Sequence, residues 1–302
     1  MERTAPPAHA VGHEVDAIMM PMPVIDTHAH LFSPDEKKYP PRPNPSRPPA
    51  GAGTLEHVRR EMNANGVDRI CAVQVSGFYG FDNRFICNAS KAHPDWIAGI
   101  CTLDPNDPHS PGLLEQYVRD YGIRGLRSVP GRGPDGRQLA HPGVRALWKT
   151  ALDNGITVNL QIGYRHAVEA DRLLGEFPDL PVALDHTLRM QADGPVAETL
   201  AALRILGRRG NCHTKMSFIA NGPRGCQDGY PCRSFHKVVM EVVDIFGPER
   251  CAWGAHFPLE KYSPALTYAQ ALKIYREELP LSAEARAAIL GGTAAKLYFP
   301  PR

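Results

Sequence analysis

The segment VIDTHAHLF, residues 24–32, decides how this chain is read. It is a short, β-branched apolar run into which Asp26, His28 and His30 are set at every second position. Side chains alternate faces along a strand, so this spacing places all three on one face. Buried polar groups need partners, and an apolar interior has no use for three such groups in a row. The segment therefore predicts a strand that delivers polar chemistry to a site.

Working outward, seven more segments of the same kind follow: RICAVQVS (69–76), IAGICTLD (97–104), GIRGLRSV (122–129), TVNLQIG (157–163), PVALDHTL (181–188), CHTKMSF (212–218) and CAWGAHFP (251–258). Helical patterns lie between them at 54–66, 111–122, 141–155, 165–178, 195–210 and 236–247. The first opens on Thr54 and closes on Gly66, and the second runs from Pro111 to Gly122, a common start-and-stop grammar. Strand–helix alternation about eight times over predicts a parallel sheet. In a chain of 302 residues it predicts an α/β fold closed as a (β/α)8 TIM barrel, one domain spanning 24–302. No GxGxxG follows the first strand, which counts against a dinucleotide fold. Residues 1–23 read as a flexible arm without the charged start and apolar core of a signal peptide. The Pro-rich stretch 32–53 is too long for a routine connection, and such loops are functional or disordered.

Composition narrows the class. The hydrophobic fraction of 43% and charged fraction of 22% suit a globular core. A net charge of +2 without a Lys/Arg run excludes a nucleic-acid surface. No apolar run reaches membrane-spanning length. The seven cysteines form no CxxC pair, so they read as buried free thiols of a cytoplasmic protein. Cys226 and Cys232, in a Gly-rich loop, stand apart from the rest.

Polar residues recur late in the strands. Gln74 and Ser76 share a face in the second, Asn159 and Gln161 in the fifth, and Lys215 and Ser217 in the seventh. His186 lies near the end of the sixth and His256 near the end of the eighth. Active sites of such barrels lie at the C-terminal strand ends, so these residues are expected to converge on one mouth. Plainer readings stand beside this one. Asp26 is either an anchor or a participant, and Lys215 a paired structural charge. Asp104 is a turn residue, His213 and His236 are surface or loop residues, and Tyr39 is either a lid contact or an incidental aromatic.

The landmarks DTHAHLF with KKYP, GIRGLR, FPDLPVALDH, HTKMS, WGAHFP and ILGGTAAKLYF resemble, in that order, the amidohydrolase superfamily. Within it they are similar to the lactonase-like group that includes 2-pyrone-4,6-dicarboxylate lactonase. The resemblance implies a hydrolase that opens a carboxylated lactone, with His28, His30, His186 and His256 as catalytic residues. It implies that Arg127, Arg189, Ser76 and Tyr164 hold the substrate carboxylates, with Arg132 and Arg224 in the loops where further contacts would fall.

One departure stands out. Where the family's eighth strand carries an Asp that handles the attacking water, this chain carries His256. An imidazole is a neutral base near physiological pH, so His256 is expected to accept the proton from water. His28, His30 and His186 are expected to donate hydrogen bonds to the developing oxyanion. No histidine stands on the fifth strand, where metal-bound members of the family carry one, and the resemblance to the lactonase group implies a metal-free site. The alternative is one zinc held by some of His28, His30, His186 and His256. The rival activities are a lactone isomerase or decarboxylase and, further off, a non-catalytic binding protein. The expected partner is a small carboxylated molecule; a homodimer and a monomer are both compatible.

Overall fold

The computed structural model describes residues 22–134, 136–219, 225 and 227–300. Most of the arm lies outside them, as do Arg224 and Cys226. Eight strands, β1 (Ile25–Ala29), β2 (Arg69–Val73), β3 (Ile97–Thr102), β4 (Gly125–Ser128), β5 (Thr157–Leu160), β6 (Val182–Leu184), β7 (Cys212–Met216) and β8 (Cys251–Trp253), pair in parallel in chain order. The ring closes through a parallel bridge between Ala29 and Phe257. There His30 N donates to Phe257 O at 2.8 Å and Phe257 N to His28 O at 3.1 Å. The fold is the expected TIM barrel.

The helices follow from local chemistry. Leu55–Asn65 starts where the Thr54 side chain accepts from His57 N, and it ends at Gly66 with φ 64°, a conformation glycine adopts without a Cβ penalty. Ser110–Tyr121, Pro142–Asp153, Ala167–Glu176, Val196–Leu206 and Arg233–Phe246 lie within about four residues of the ranges read from periodicity. The helix Arg84–Ala92 was not among those patterns. Asn83, just before it, is tied to β3: its Oδ1 accepts from Thr102 N (2.8 Å) and its Nδ2 donates to Thr102 O (2.9 Å).

Two strands are shorter than their apolar runs. β2 stops at Val73, and Ser76 begins a short helix, Ser76–Tyr79. β6 stops at Leu184, after which His186, Thr187, Leu188 and Arg189 all take positive φ, between 50° and 60°. These chain ends leave the sheet to line the mouth.

The barrel floor is sealed by Thr293–Tyr298, which packs Ala294 and Tyr298 against Ile25, Cys71, Val73, Ala98 and Ile100. The Tyr298 hydroxyl donates to Asn159 Oδ1 at 2.6 Å, so Asn159 ties floor to barrel. The Pro-rich loop contains no helix or strand but is pinned by backbone bonds: Phe32 N to Gly53 O and Arg42 N to Phe78 O (each 2.8 Å), and Ser46 N to Gly77 O (2.9 Å). Tyr39 is a buried anchor of that loop, its ring tilted against Phe85 with centroids 5.0 Å apart and its hydroxyl accepting from Asn88 Nδ2. Among the described residues no helix is long and apolar enough to cross a membrane.

Candidate active site

A cavity of about 380 Å³ opens at the C-terminal ends of the strands. His30, Ser76, Arg127, His186, Arg189 and His256 line it, together with Ser46, Gln161, Gln191, Lys261 and Tyr262. His28 lies directly beneath, fully buried. Its ring centroid is 4.1 Å from that of His186, 4.9 Å from His30 and 5.2 Å from His256. The structure thus gathers four imidazoles from β1, β6 and β8 at one place.

Other expected residues fall elsewhere. Arg132 is exposed on a two-stranded hairpin of Gly131–Gly133 and Gly136–Gln138, where its backbone pairs with the Asn106 side chain. Tyr164 is half-buried outside the cavity lining. Arg224 lies outside the described residues. Gln74 turns to the carbonyls of Gly80 and Asp82, holding the loop after β2. Asp26 is a clamp: Oδ1 accepts from His28 N and Ala255 N (2.9 Å each), and Oδ2 accepts from Tyr268 OH at 3.0 Å.

The ring tautomers follow from the partners. His30 Nδ1 lies 2.9 Å from Val73 O, and His186 Nδ1 lies 3.0 Å from Ser217 O. A carbonyl can only accept, so in both rings Nδ1 carries the proton. His28 Nδ1 faces Asp185 Oδ1 at 3.5 Å, a long contact rather than a full hydrogen bond. In each of these neutral rings the remaining nitrogen, Nε2, presents a lone pair. In these tautomers His28, His30 and His186 present acceptor nitrogens, and donation to an oxyanion would need the other tautomer or a further proton.

Burial keeps these rings neutral. Burial and then the Arg127 charge push His30 down to about 3. Burial brings His186 to about 4 even though the Asp185 charge opposes it. His28 and His256 sit well below the ordinary imidazole value, through burial and then mutual repulsion with His186. His256 is held at φ 61° and stacks on Tyr262, centroids 4.4 Å apart and planes 13° apart. Left-handed backbone costs a non-glycine residue about 1–2 kcal/mol, and three such residues (His186, Arg189 and His256) line this one cavity. Backbone strain of this kind clusters at functional sites.

Asp185 is the residue the sequence reading passed over. Its Oδ2 accepts from Arg127 Nε at 2.9 Å, and its Oδ1 lies 3.2 Å from Lys215 Nζ. Burial alone would raise this carboxyl, but Lys215, His28 and Arg127 together hold it well below the usual range. The signal was available. Strict alternation in PVALDHTL puts Asp185 on the barrel-facing side and His186 on the other; positive φ at His186 then swings that ring inward. Lys261 and Tyr262, beyond the eighth strand, carried no periodic signal. Lys261 Nζ donates to Ser46 Oγ (2.9 Å) and Arg47 O (2.8 Å), joining this segment to the Pro-rich loop.

The residues present fit a divalent metal ion. His28, His30 and His256 offer ring nitrogens all within 4.8 Å of one another. His28 Nε2 is buried with no hydrogen-bond partner among the described residues. Three neutral imidazoles are a normal catalytic zinc donor set.

Comparison with known proteins agrees with this architecture. A family model described as Amidohydrolase matches residues 25–299, and the chain belongs to that family. It is similar to the L-fucono-1,5-lactonase of Burkholderia ambifaria, 21% identical over 289 residues, covering 91% of this chain and 94% of the relative. Protein y4mH of Sinorhizobium fredii is 25% identical over 268 residues, covering 80% of this chain and 87% of that one. Among solved structures, a candidate 2-pyrone-4,6-dicarboxylic acid hydrolase of Pseudomonas putida superposes with a TM-score of 0.74 at 25% identity, covering 92% of this chain and 98% of that one.

Proposed function

We infer that the protein is a hydrolase that opens a lactone carrying at least one carboxylate. The observation that carries this reading is the cavity lining: Arg127, Arg189 and Lys261 face it, and among the described residues no Asp or Glu does. A small cationic chamber over a bed of neutral imidazoles suits an anionic substrate that is attacked by water. Arg127 and Arg189 would grip the carboxylate through forked, charge-assisted bonds. The relatives named for lactone and pyrone-dicarboxylate hydrolysis support the same class of reaction.

In the metal-free form of this reading, His256 takes the proton from the attacking water while Tyr262 stacks behind it and fixes its ring plane. The cationic walls stabilise the negative charge that develops on the carbonyl oxygen. A second form is favoured by the unpartnered Nε2 of His28. There His28, His30 and His256 would hold a zinc-like ion, which would supply Lewis-acid polarisation and a lowered water pKa. His256 would then be a ligand rather than the base.

Acid release from a panel of carboxylated lactones, read with a pH indicator, tests both. Turnover by chelator-treated protein supports the metal-free form, and turnover restored only by zinc supports the second. Silence in both states, or loss of carbon dioxide or an unchanged product mass, overturns the hydrolase.

A further inference from the structure

Asp185 faces a guanidinium at 2.9 Å, an ammonium group at 3.2 Å and an imidazole at 3.5 Å, all of them buried. Its neighbours His28, Lys215 and Arg127 are 0–5% exposed at their side chains. A carboxylate flanked by two cations stays ionised and can only accept. The hydrogen it faces on His28 therefore sits on Nδ1. The lone pair of Nε2 is left for the imidazole cluster, where that atom has no other partner among the described residues.

We propose that Asp185, held in place by Lys215, is the positioning residue that fixes the tautomer of His28 and couples it to the anion-binding Arg127. The geometry gives the carboxylate two separate duties. Oδ1 faces His28 Nδ1 and Lys215 Nζ, while Oδ2 accepts from Arg127 Nε. The acceptor nitrogen in the reaction chamber and the cation that meets the substrate are thus oriented by one group. Lys215 is itself anchored from below, its Nζ 5.6 Å from the centroid of the Tyr298 ring. A carboxylate behind a histidine commonly sets its tautomer and raises its basicity. Here a third charge locks that carboxylate.

The proposal deepens the hydrolase reading and rests on it for its purpose, but its test does not depend on turnover. Selective 15N labelling of histidine in the chelator-treated full chain, with the His28 signals assigned by their loss in His28→Gln, reports which ring nitrogen carries the proton at pH 7. Wild-type protein is expected to show protonated Nδ1 at His28. In Asp185→Ala the acceptor facing His28 Nδ1 is removed, leaving the Lys215 ammonium near that nitrogen, and the pattern is expected to shift to protonated Nε2.

Protonated Nε2 in the wild type overturns the proposal, and so does an unchanged pattern in a folded Asp185→Ala variant. The wild-type spectrum stands as a test even where that variant does not fold. Acid release is a separate readout: a wild type that turns over nothing would remove the hydrolase reading while leaving the tautomer assignment intact.

Discussion

At the scale of single residues, His256 and Asp185 define the site. His256 replaces an anionic base by a neutral one, and burial among three other imidazoles makes it a weak one. If it accepts the water proton, His256→Asn should lower kcat by roughly 100-fold or more while leaving KM within a few-fold; steady-state kinetics on an accepted lactone checks this. Equal kcat would remove the base assignment.

The depressed imidazoles also fix an acid limit. A histidine whose folded pKa lies below its unfolded value binds fewer protons folded than unfolded. Stability is then complete above the unfolded value, near 6.5, and is lost as pH falls toward the folded one. With His186 at about 4 and His30 at about 3, the window runs from roughly 6.5 down to 4 or below. The slope is about 1.4 kcal/mol per pH unit for each such ring. Chelator-treated protein should therefore show a Tm that drops between pH 7 and pH 5, and His30→Gln should make the drop shallower.

At the scale of elements, the seam between β1 and β8 depends on Asp26. Its carboxylate satisfies two backbone N–H groups and the Tyr268 hydroxyl across the closing edge of the barrel. Asp26→Ala leaves three buried donors without an acceptor, at about 1–3 kcal/mol for each group left unpaired. Chemical denaturation should show a loss of several kcal/mol, with Tyr268→Phe losing no more than about 1–2 kcal/mol. The turn after β6 is the other decisive element. Thr187 Oγ1 donates to Lys215 O and accepts from Thr214 Oγ1, bracing four left-handed residues in succession. That turn presents His186 and Arg189 to the same cavity.

At the scale of the whole molecule, a chain with a formal charge of only +2 concentrates positive charge at one mouth. Arg127, Arg189 and Lys261 share a chamber in which Asp185 is the nearby counter-charge, buried below. Screening acts over about 8 Å at physiological ionic strength. For an anionic lactone, kcat/KM should fall steadily as potassium chloride is added, and for a neutral lactone of the same ring it should not. A salt-independent kcat/KM would show that the cationic lining does not steer the substrate.

The sequence by itself determined the barrel, because eight alternations of strand and helix leave few other ways to bury the apolar faces. The late position of polar residues also brought His28, His30, Arg127 and Ser76 to the correct end, since sites in such barrels gather at the C-terminal ends of the strands. Alternation stops at the last hydrogen-bonded residue of a strand. Beyond that point only the tertiary structure decided direction, as at His186, Arg189 and His256, whose positive φ no periodic pattern encodes. Which ring nitrogens carry protons was likewise decided in three dimensions, by Val73 O, Ser217 O and the Asp185 carboxylate, acceptors that stand 31 to 157 residues from the rings they face. Those contacts are long-range in the chain and local only in the fold, which is why they are absent from any stretch of sequence read alone.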